Sequence, residues 1–398
     1  MVGVAVLATA LSLIGGSCGS DNDSGRAADS VSDVSTTVDA KALAEEPRYE
    51  ATGPYDVGVT TRSLEGGRAI EVYYPVAAGG TDGLAKATYL QTDALPANIL
   101  ASLPSPPPDV DLSVELPAVR DLQAASDGPF PIVVFSHGAG GWRGVYGIQL
   151  SGIASWGFVV ASIDYPEYGL LASFTASGDD AARAAAREAS RATTDPVAMS
   201  VVDLLAAESD GADGLLSGAV DDSRVAALGH SAGARTMFGL LDEPRVATII
   251  GWAPVGPPTP VTSTTPTLIV AGGSDIAITP DGATASYDEL LAPKRLAVID
   301  TMGHNGFGDS CLAIRGGTDL IGIAKGLGLP IPDRLLELGR NGCEEGDLDT
   351  RTGWSVTQHF TVAHLRQLFG IDRDPVGLGD GIAGAFAPTK VTYRHNEA

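Results

Sequence analysis

The stretch Gly229-His230-Ser231-Ala232-Gly233 places a serine between two glycines. The apolar run before it predicts a buried strand, and the small and apolar residues after it have helical spacing. A sharp turn from strand to helix strains the backbone at the serine and presents its hydroxyl above the sheet, while small neighbours let strand and helix approach closely. We interpret Ser231 as a nucleophile, and a simple tight glycine turn is the alternative.

A serine hydroxyl needs a base to take its proton and a third group to orient that base. In proteins with this serine turn, the chain order is serine, acid, histidine. Asp275 ends the stretch LIVAGGSD and His304 ends RLAVIDTMGH, and each follows a predicted strand. We therefore predict that Asp275 is the orienting acid and His304 the base, with Asp275 as a helix N-cap or turn residue as the alternative.

Other acids and histidines are less well placed. Asp300 lies inside its strand pattern, and Asp309 follows the histidine. Only His304 comes after both the last predicted parallel strand and a suitable acid. The competing histidines are His137, His230, His359, His364 and His395.

The stretch FSHGAGG, residues 135–141, ends another predicted strand with a glycine-rich turn. Such a turn aims backbone N–H groups at the negative oxygen that forms during acyl transfer. We predict that the N–H groups of Ala139 and Ala232 supply this oxyanion hole, and that His137 braces the turn and does not transfer protons. A simple loop is the alternative.

The elements that position these residues alternate between apolar strands and helices. Strands that are apolar throughout indicate a parallel sheet covered on both faces. A hairpin through Glu65-Gly66-Gly67 precedes them. We predict an α/β fold with a mostly parallel, doubly wound sheet, an N-terminal antiparallel hairpin and insertions. Ligands bind beyond the carboxyl ends of such strands.

The chain has 398 residues, of which 44% are hydrophobic, and this fits one large domain, residues 51–398. Residues 19–50 are polar and predict a disordered linker. We expect two insertions: the Pro-rich segment (residues 78–128), read as an irregular surface excursion, and the disulfide segment (residues 310–353). The second is named for Cys311 and Cys343, which we expect to form a disulfide, with two free buried thiols as the alternative.

Residues 1–18 are apolar, end in small residues and predict an export signal. They resemble a bacterial lipoprotein signal in which Cys18 is acylated, so a membrane contact is expected only through that anchor. Plain secretion and a structural segment are the alternatives. A net charge of −24 with only 25 Lys and Arg argues against nucleic acid as a partner. The histidines lack metal-ligand spacing, and no metal or cofactor is expected.

The stretches PFPIVVFSHGAGGWRGVYGIQLSGIASWGFVVASIDYPE, GHSAG and MGHNGFGD resemble the platelet-activating-factor acetylhydrolases and the dienelactone-hydrolase-like group of α/β-hydrolases. The resemblance runs from about residue 53 to 309. It implies an α/β-hydrolase fold, a Ser231/His304 pair, oxyanion donors at Ala139 and Ala232, and hydrolysis of short acyl esters without a cofactor. In the acetylhydrolases the acid follows the first strand after the nucleophile, whereas Asp275 follows the second.

The leading hypothesis is a serine hydrolase of short acyl, lipid-like or polyester substrates. An acyltransferase with the same three residues remains open, because it differs only in what accepts the acyl group. A binding module without activity is the third hypothesis. Trp252 in GWAPV either contacts the acyl group or packs in the core. The sequence does not indicate an oligomeric state.

Overall fold

The computed structural model describes residues 40–95, 97–101, 111–170, 172, 194, 196–319, 322, 325–326 and 333–398. The strands in chain order are β1 (Asp56–Ser63), β2 (Ala69–Val76), β3 (Thr88–Leu90), β4 (Ser113–Glu115), β5 (Val119–Arg120), β6 (Phe130–Ser136), β7 (Val159–Ile163), β8 (Val220–His230), β9 (Val246–Trp252), β10 (Thr267–Gly272), β11 (Lys294–Ile299) and β12 (Val391–Asn396). The helices are α1 (Ala40–Ala44), α2 (Ala97–Leu100), α3 (Gly147–Ala154), α4 (Val197–Asp210), α5 (Ala232–Phe238), α6 (Pro280–Glu289), α7 (Ser310–Gly316), α8 (Asp333–Arg340) and α9 (Thr350–Leu368). Short 3-10 helices span Arg48–Glu50, Gln91–Ala94, His304–Phe307 and Ile382–Phe386.

Ten of these strands form one sheet in the order β12-β11-β10-β9-β8-β6-β7-β2-β1-β5. Strands β6 to β11 are parallel to one another, whereas β2 is antiparallel to β7 and to β1, and β12 is antiparallel to β11. The predicted hairpin pairs Asp56 with Val76 and Ser63 with Ala69. The predicted α/β fold with an N-terminal antiparallel hairpin is confirmed.

The core lies on both faces of the sheet because successive side chains of a strand point to opposite faces. In β6, Val133 and Phe135 pack with residues of α3 and α9, whereas Ile132 and Val134 pack with residues of α4, α5 and α6. Every residue of β6 is buried, which explains its uninterrupted apolar sequence. Because the central strands are parallel and packed on both faces, their carboxyl ends lie side by side along one edge of the sheet.

The prediction that residues 19–50 form a disordered linker is wrong for the last residues of this range. Helix α1 forms within it, and Tyr49 is only 1% exposed. The Tyr49 ring meets Trp156 edge-on at 4.8 Å, and its hydroxyl donates a hydrogen bond to Asp372. One aromatic side chain thus fixes a segment whose other residues are mostly polar. The preceding residues, including Cys18, lie outside the described residues.

The Pro-rich segment (residues 78–128) is also more ordered than its composition predicts. Strands β3 and β4 pair in a small second sheet, and Tyr89, Leu116 and Ala118 are buried in the core. The prediction of an irregular surface excursion is wrong for these residues because their apolar side chains alternate in short strands that the proline-rich composition conceals. Residues 102–110 lie outside the described residues.

The helices mostly follow the predicted pattern. The stretch from about 178 to 208 is rich in Ala, Arg, Asp and Glu, and its sequence predicts a long helical region. Its last part lies in α4, and residues 178–193 lie outside the described residues. In the part of the chain that the structure describes, no helix combines the length and the apolar character needed to cross a membrane. Strand β12 was not predicted: alternate residues are half-buried and exposed at the edge of the sheet, so its sequence carries little hydrophobic signal.

Candidate active site

Ser231 occupies the turn between β8 and α5. Its backbone has φ 54° and ψ −116°, a conformation that is strained for any residue other than glycine. The Ser231 N–H donates to the carbonyl oxygen of Trp252 at 2.9 Å, which fixes this turn to the neighbouring strand β9. The strained turn holds the side chain at the carboxyl edge of the sheet, where it is 9% exposed.

The two glycines beside Ser231 are required by close backbone contacts. A Cβ on Gly229 would lie 2.5 Å from the backbone of Gly233. A Cβ on Gly233 would lie 2.3 Å from the carbonyl oxygens of Ser136 and His137, at the end of β6. Since a larger residue at either position would push strand and helix apart, the glycine spacing follows directly from the packing around the serine.

Ser231, His304 and Asp275 lie in a continuous chain of hydrogen bonds. His304 Nε2 lies 3.0 Å from Ser231 Oγ, and His304 Nδ1 lies 2.7 Å from Asp275 Oδ2. The other oxygen, Oδ1, accepts the N–H groups of Ala277 and Ile278, each at 2.7 Å. Both oxygens of this buried carboxylate are therefore paired, and the Oδ2 contact orients the imidazole.

The competing acids and histidines lie elsewhere or have other partners. Asp300 is exposed and accepts the N–H of Thr301. Asp309 is buried and contacts neither His304 nor Ser231 through a hydrogen bond. The histidines with partners away from Ser231 are His359 (Gly377), His364 (Thr248 and Arg295) and His395 (Asp380).

His230, considered above only as a competing base, has a side chain that holds the backbone of His304 in place. Its Nε2 donates to the His304 carbonyl oxygen at 3.0 Å, so Nδ1 accepts the Tyr146 hydroxyl at 2.7 Å. Burial, with the neighbouring His304 as a smaller contribution, lowers the pKa of His230 well below its usual range. His230 is therefore neutral and adds no charge beside the base. The residue preceding a serine gives no sequence signal for this contact.

Asn341, in the disulfide segment (residues 310–353), joins the loops that carry the acid and the base. Its Oδ1 accepts the N–H of His304 at 2.8 Å and the N–H of Ile276 at 3.2 Å. Its Nδ2 donates to the carbonyl oxygen of Ser274 at 3.0 Å. One amide side chain thus fixes the backbone on both sides of Asp275 and at His304. Sequence reasoning missed this residue because it lies 37 residues after the histidine.

The glycine-rich loop (residues 137–142) lies against Ser231. A Cβ on Gly138 would come within 3.3 Å of the Ser231 Cβ. Among the described residues, the backbone N–H groups of Ala139 and Ala232 have no hydrogen-bond partner, so both are available to a ligand. An unpaired N–H at the first residue of α5 is the usual state of a helix N-terminus.

His137 and Trp252 pack as structural residues. His137 Nε2 accepts the Tyr165 N–H at 3.0 Å, and its Nδ1 donates to the Gly138 carbonyl oxygen at 2.9 Å. These bonds brace the glycine-rich loop, as predicted. Trp252 is fully buried, and its indole N–H donates to Thr361 Oγ1, so the core interpretation holds.

Cys311 and Cys343 are joined by a disulfide with a Cα–Cα distance of 4.7 Å. The bond ties the start of α7 to the residues just after Asn341, and both cysteines are buried. Gly342, between Asn341 and Cys343, packs on Gly303 so closely that a Cβ would lie 2.8 Å from the Gly303 backbone. The disulfide segment therefore presses directly on the loop of His304.

The side chains brought together here include no metal centre in the described ranges: no group of three or more His, Cys, Asp or Glu residues could hold an ion. The arrangement is a hydroxyl, an imidazole and a carboxylate joined by hydrogen bonds, with one free N–H group on the residue after the serine and another on the glycine-rich loop. These groups can support attack of an oxygen nucleophile on a carbonyl carbon.

Comparisons with known proteins bear on the fold that carries these residues. The family model of platelet-activating factor acetylhydrolase, isoform II, matches residues 49–193. A solved ferulic acid esterase from Streptomyces cinnamoneus superposes with a TM-score of 0.55 and 18% identity, and the match covers 85% of this chain and 96% of the esterase. The chain has an α/β-hydrolase fold. At 18% identity the superposition shows the fold of this chain and does not indicate its substrate.

The family match covers strands β1 to β7 and the glycine-rich loop, and it ends before Ser231. A search of curated proteins found no match. The family match over residues 49–193 points to a carboxylic ester hydrolase, and the superposition adds the fold alone. Serine, histidine and aspartate stand on three separate elements of this α/β-hydrolase, after β8, β11 and β10.

Proposed function

We propose that the protein hydrolyses carboxylic esters through an acyl-enzyme on Ser231. The hydrogen-bonded chain from Ser231 through His304 to Asp275 is the observation that carries the proposal. His304 Nε2 takes the hydroxyl proton while Ser231 Oγ attacks the ester carbonyl carbon. The same proton then passes to the leaving alcohol, and water, activated by His304, releases the acid.

The oxyanion formed in each addition step accepts hydrogen bonds from the N–H groups of Ala139 and Ala232. Their free state and the approach of Gly138 to Ser231 support this assignment. Asp275 keeps the His304 Nδ1–H directed at its own carboxylate, so that Nε2 is the nitrogen that accepts the serine proton. The carboxylate also stabilises the imidazolium formed after that transfer.

The substrates we propose are short acyl esters, including lipid-like or polyester chains. The family match over residues 49–193 supports esters as a class. We further propose that the enzyme acts outside the cytoplasm, as the export signal in residues 1–18 and the Cys311–Cys343 disulfide suggest. Mass spectrometry of the mature N-terminus tests whether Cys18 carries acyl chains.

The decisive experiment compares p-nitrophenyl esters from acetate to palmitate with the wild type, Ser231→Ala and His304→Ala. We expect the wild type to cleave the short esters and each variant to lose at least about 10³-fold in kcat. Full turnover by Ser231→Ala would overturn the proposal. If added alcohols receive most of a labelled acyl group, the enzyme is an acyltransferase with the same serine chemistry.

A further inference from the structure

A small cavity lies where the two insertions meet the glycine-rich loop. It has a volume of about 110 Å³ and is lined by Gly140 and Trp142 of that loop, by Tyr89 of the Pro-rich segment and by Ala313 of the disulfide segment. Its wall begins one residue after Ala139. The cavity therefore borders the loop that carries the oxyanion donor assigned above.

The cavity fits a short chain. An apolar cavity of about 150 Å³ holds a benzene molecule, so this one takes about four non-hydrogen atoms. The side chains of Tyr89, Trp142, Val145 and Ile314 give it mostly apolar walls. Such walls favour methylene groups over charged ones.

Asp309 is one of four polar residues of this lining, with Gln91, Ser310 and Asp319. It is fully buried, and its Oδ2 accepts the Tyr89 hydroxyl at 3.3 Å and the Ile148 N–H at 3.2 Å. Its Oδ1 has no hydrogen-bond partner within the described part of the chain. Burial raises the pKa of Asp309 to about 8, so the carboxyl group is mainly protonated at neutral pH. An unpaired buried polar atom costs about 1–3 kcal/mol, which a bound polar group would recover.

We propose that this cavity binds a short hydroxylated chain of the ester substrate and that Asp309 recognises its hydroxyl group. The proposal rests on the proposed function of Ser231. A neutral carboxyl group both donates and accepts hydrogen bonds, and a hydroxyl group does the same. A carboxylate on the substrate would add negative charge to a protein of net charge −24, and an ammonium group would meet a neutral partner.

The test uses two pairs of esters that differ only in a terminal hydroxyl or methyl group. Ethyl 5-hydroxypentanoate and ethyl hexanoate place the difference on the acyl side, and 4-hydroxybutyl acetate and pentyl acetate place it on the alcohol side. For one of the pairs we expect kcat/KM to favour the hydroxylated member by about tenfold, the effect of one buried hydrogen bond. The pair that responds identifies which part of the substrate enters the cavity.

Two variants of one residue separate recognition from folding. Asp309→Leu removes both hydrogen-bonding oxygens and should bring the preference to one or below. Asp309→Asn keeps the shape and an amide that both donates and accepts, so it should restore most of the preference. Because each preference is a ratio within one protein, loss of folded material does not change it.

The proposal is overturned if the wild type cleaves both members of each pair equally, or if Asp309→Leu keeps the wild-type preference. Either result would assign Oδ1 to an ordered water molecule. An inactive wild type would instead contradict the proposed function. Saturation-transfer NMR then tests the cavity alone: propane-1,3-diol should bind the wild type more tightly than propan-1-ol does, and equal binding would overturn the proposal.

Discussion

Asp275 and Asp309 are both buried aspartates near the carboxyl edge of the sheet, yet their surroundings differ. Both oxygens of Asp275 are paired, with two backbone N–H groups and the imidazole of His304. Asp309 pairs one oxygen and leaves the other without a partner in the described residues. Burial alone therefore does not determine how a carboxyl group is used: the donors around it determine whether both of its oxygens are paired.

The strongest test of this contrast replaces Asp275 with asparagine. Asp275→Asn keeps the size of the side chain but removes the charge that fixes the His304 tautomer, so we expect kcat to fall about 10³- to 10⁴-fold. Steady-state hydrolysis of p-nitrophenyl acetate measures the effect. Asp309→Asn should lower kcat/KM by at most about tenfold, and equal losses at both positions would remove the distinction.

Asp300→Asn is the matched control for this comparison. Asp300 is exposed, follows β11 and has the N–H of Thr301 as its side-chain partner. Its substitution should leave kcat within about twofold of the wild type. A large loss of kcat in Asp300→Asn would mean that any negative charge near the site supports activity, and not the specific contact of Asp275 with His304.

Removal of the disulfide should have the next largest effect, in this case on stability. The bond covalently links the region of Asp309 to that of Asn341, whose side chain contacts the loop of Asp275. Cys311 follows Asp309 by two residues, and Cys343 follows Asn341 by two. The bond spans 32 residues, and closing such a loop stabilises a folded chain by about 3 to 4 kcal/mol. We expect the Cys311→Ser/Cys343→Ser double variant to lose this amount in urea unfolding, and the reduced wild type to match it. Unchanged stability would show that packing alone holds the segment.

Asn341→Ala should lower kcat by less than Asp275→Asn does, because it affects only the loops that carry Asp275 and His304. Without the amide, the loops of Asp275 and His304 lose three hydrogen bonds to Asn341. Since small displacements of catalytic groups cost up to about 100-fold, we expect kcat to fall tenfold to 100-fold with little change in KM.

Asn341→Asp distinguishes positioning from general destabilisation. It keeps the acceptor for His304 and Ile276 and should restore part of kcat. Its negative charge near His304 should raise the pKa of the base and move the acidic limb of the kcat/KM profile to higher pH. A profile identical to that of the wild type would exclude this placement of residue 341.

The two aspartates also differ in the pH dependence of stability, which Asp309 should produce. In the folded protein its pKa is about 8, whereas in the unfolded chain it is near the ordinary value for aspartate. Between these values the folded state binds more protons, so the free energy of unfolding falls as pH rises, by at most about 1.4 kcal/mol per pH unit. The stability of Asp309→Asn relative to the wild type should therefore rise between pH 5 and 8, and a constant difference would show that Asp309 is ionised throughout.

The sequence predicts features that depend on local rules. Ser231, Asp275 and His304 each follow an apolar strand, and the glycines beside Ser231 indicate a sharp turn. Contacts between distant segments escape this reasoning. Asn341 has no local signal because its partners come from loops at 274–276 and at 304, and Tyr49 sits in a polar segment that packs on Trp156. Strand β12 forms only because β11 offers it an edge.

The positive φ of Ser231 has a consequence for the stability of this chain. A non-glycine residue in such a conformation costs about 1–3 kcal/mol, and glycine relieves most of that strain. Ser231→Gly should therefore make a protein more resistant to denaturation that has lost its nucleophile. Under the proposed function this position exchanges stability for activity, so the substitution that ends hydrolysis should also be the one that stabilises the fold.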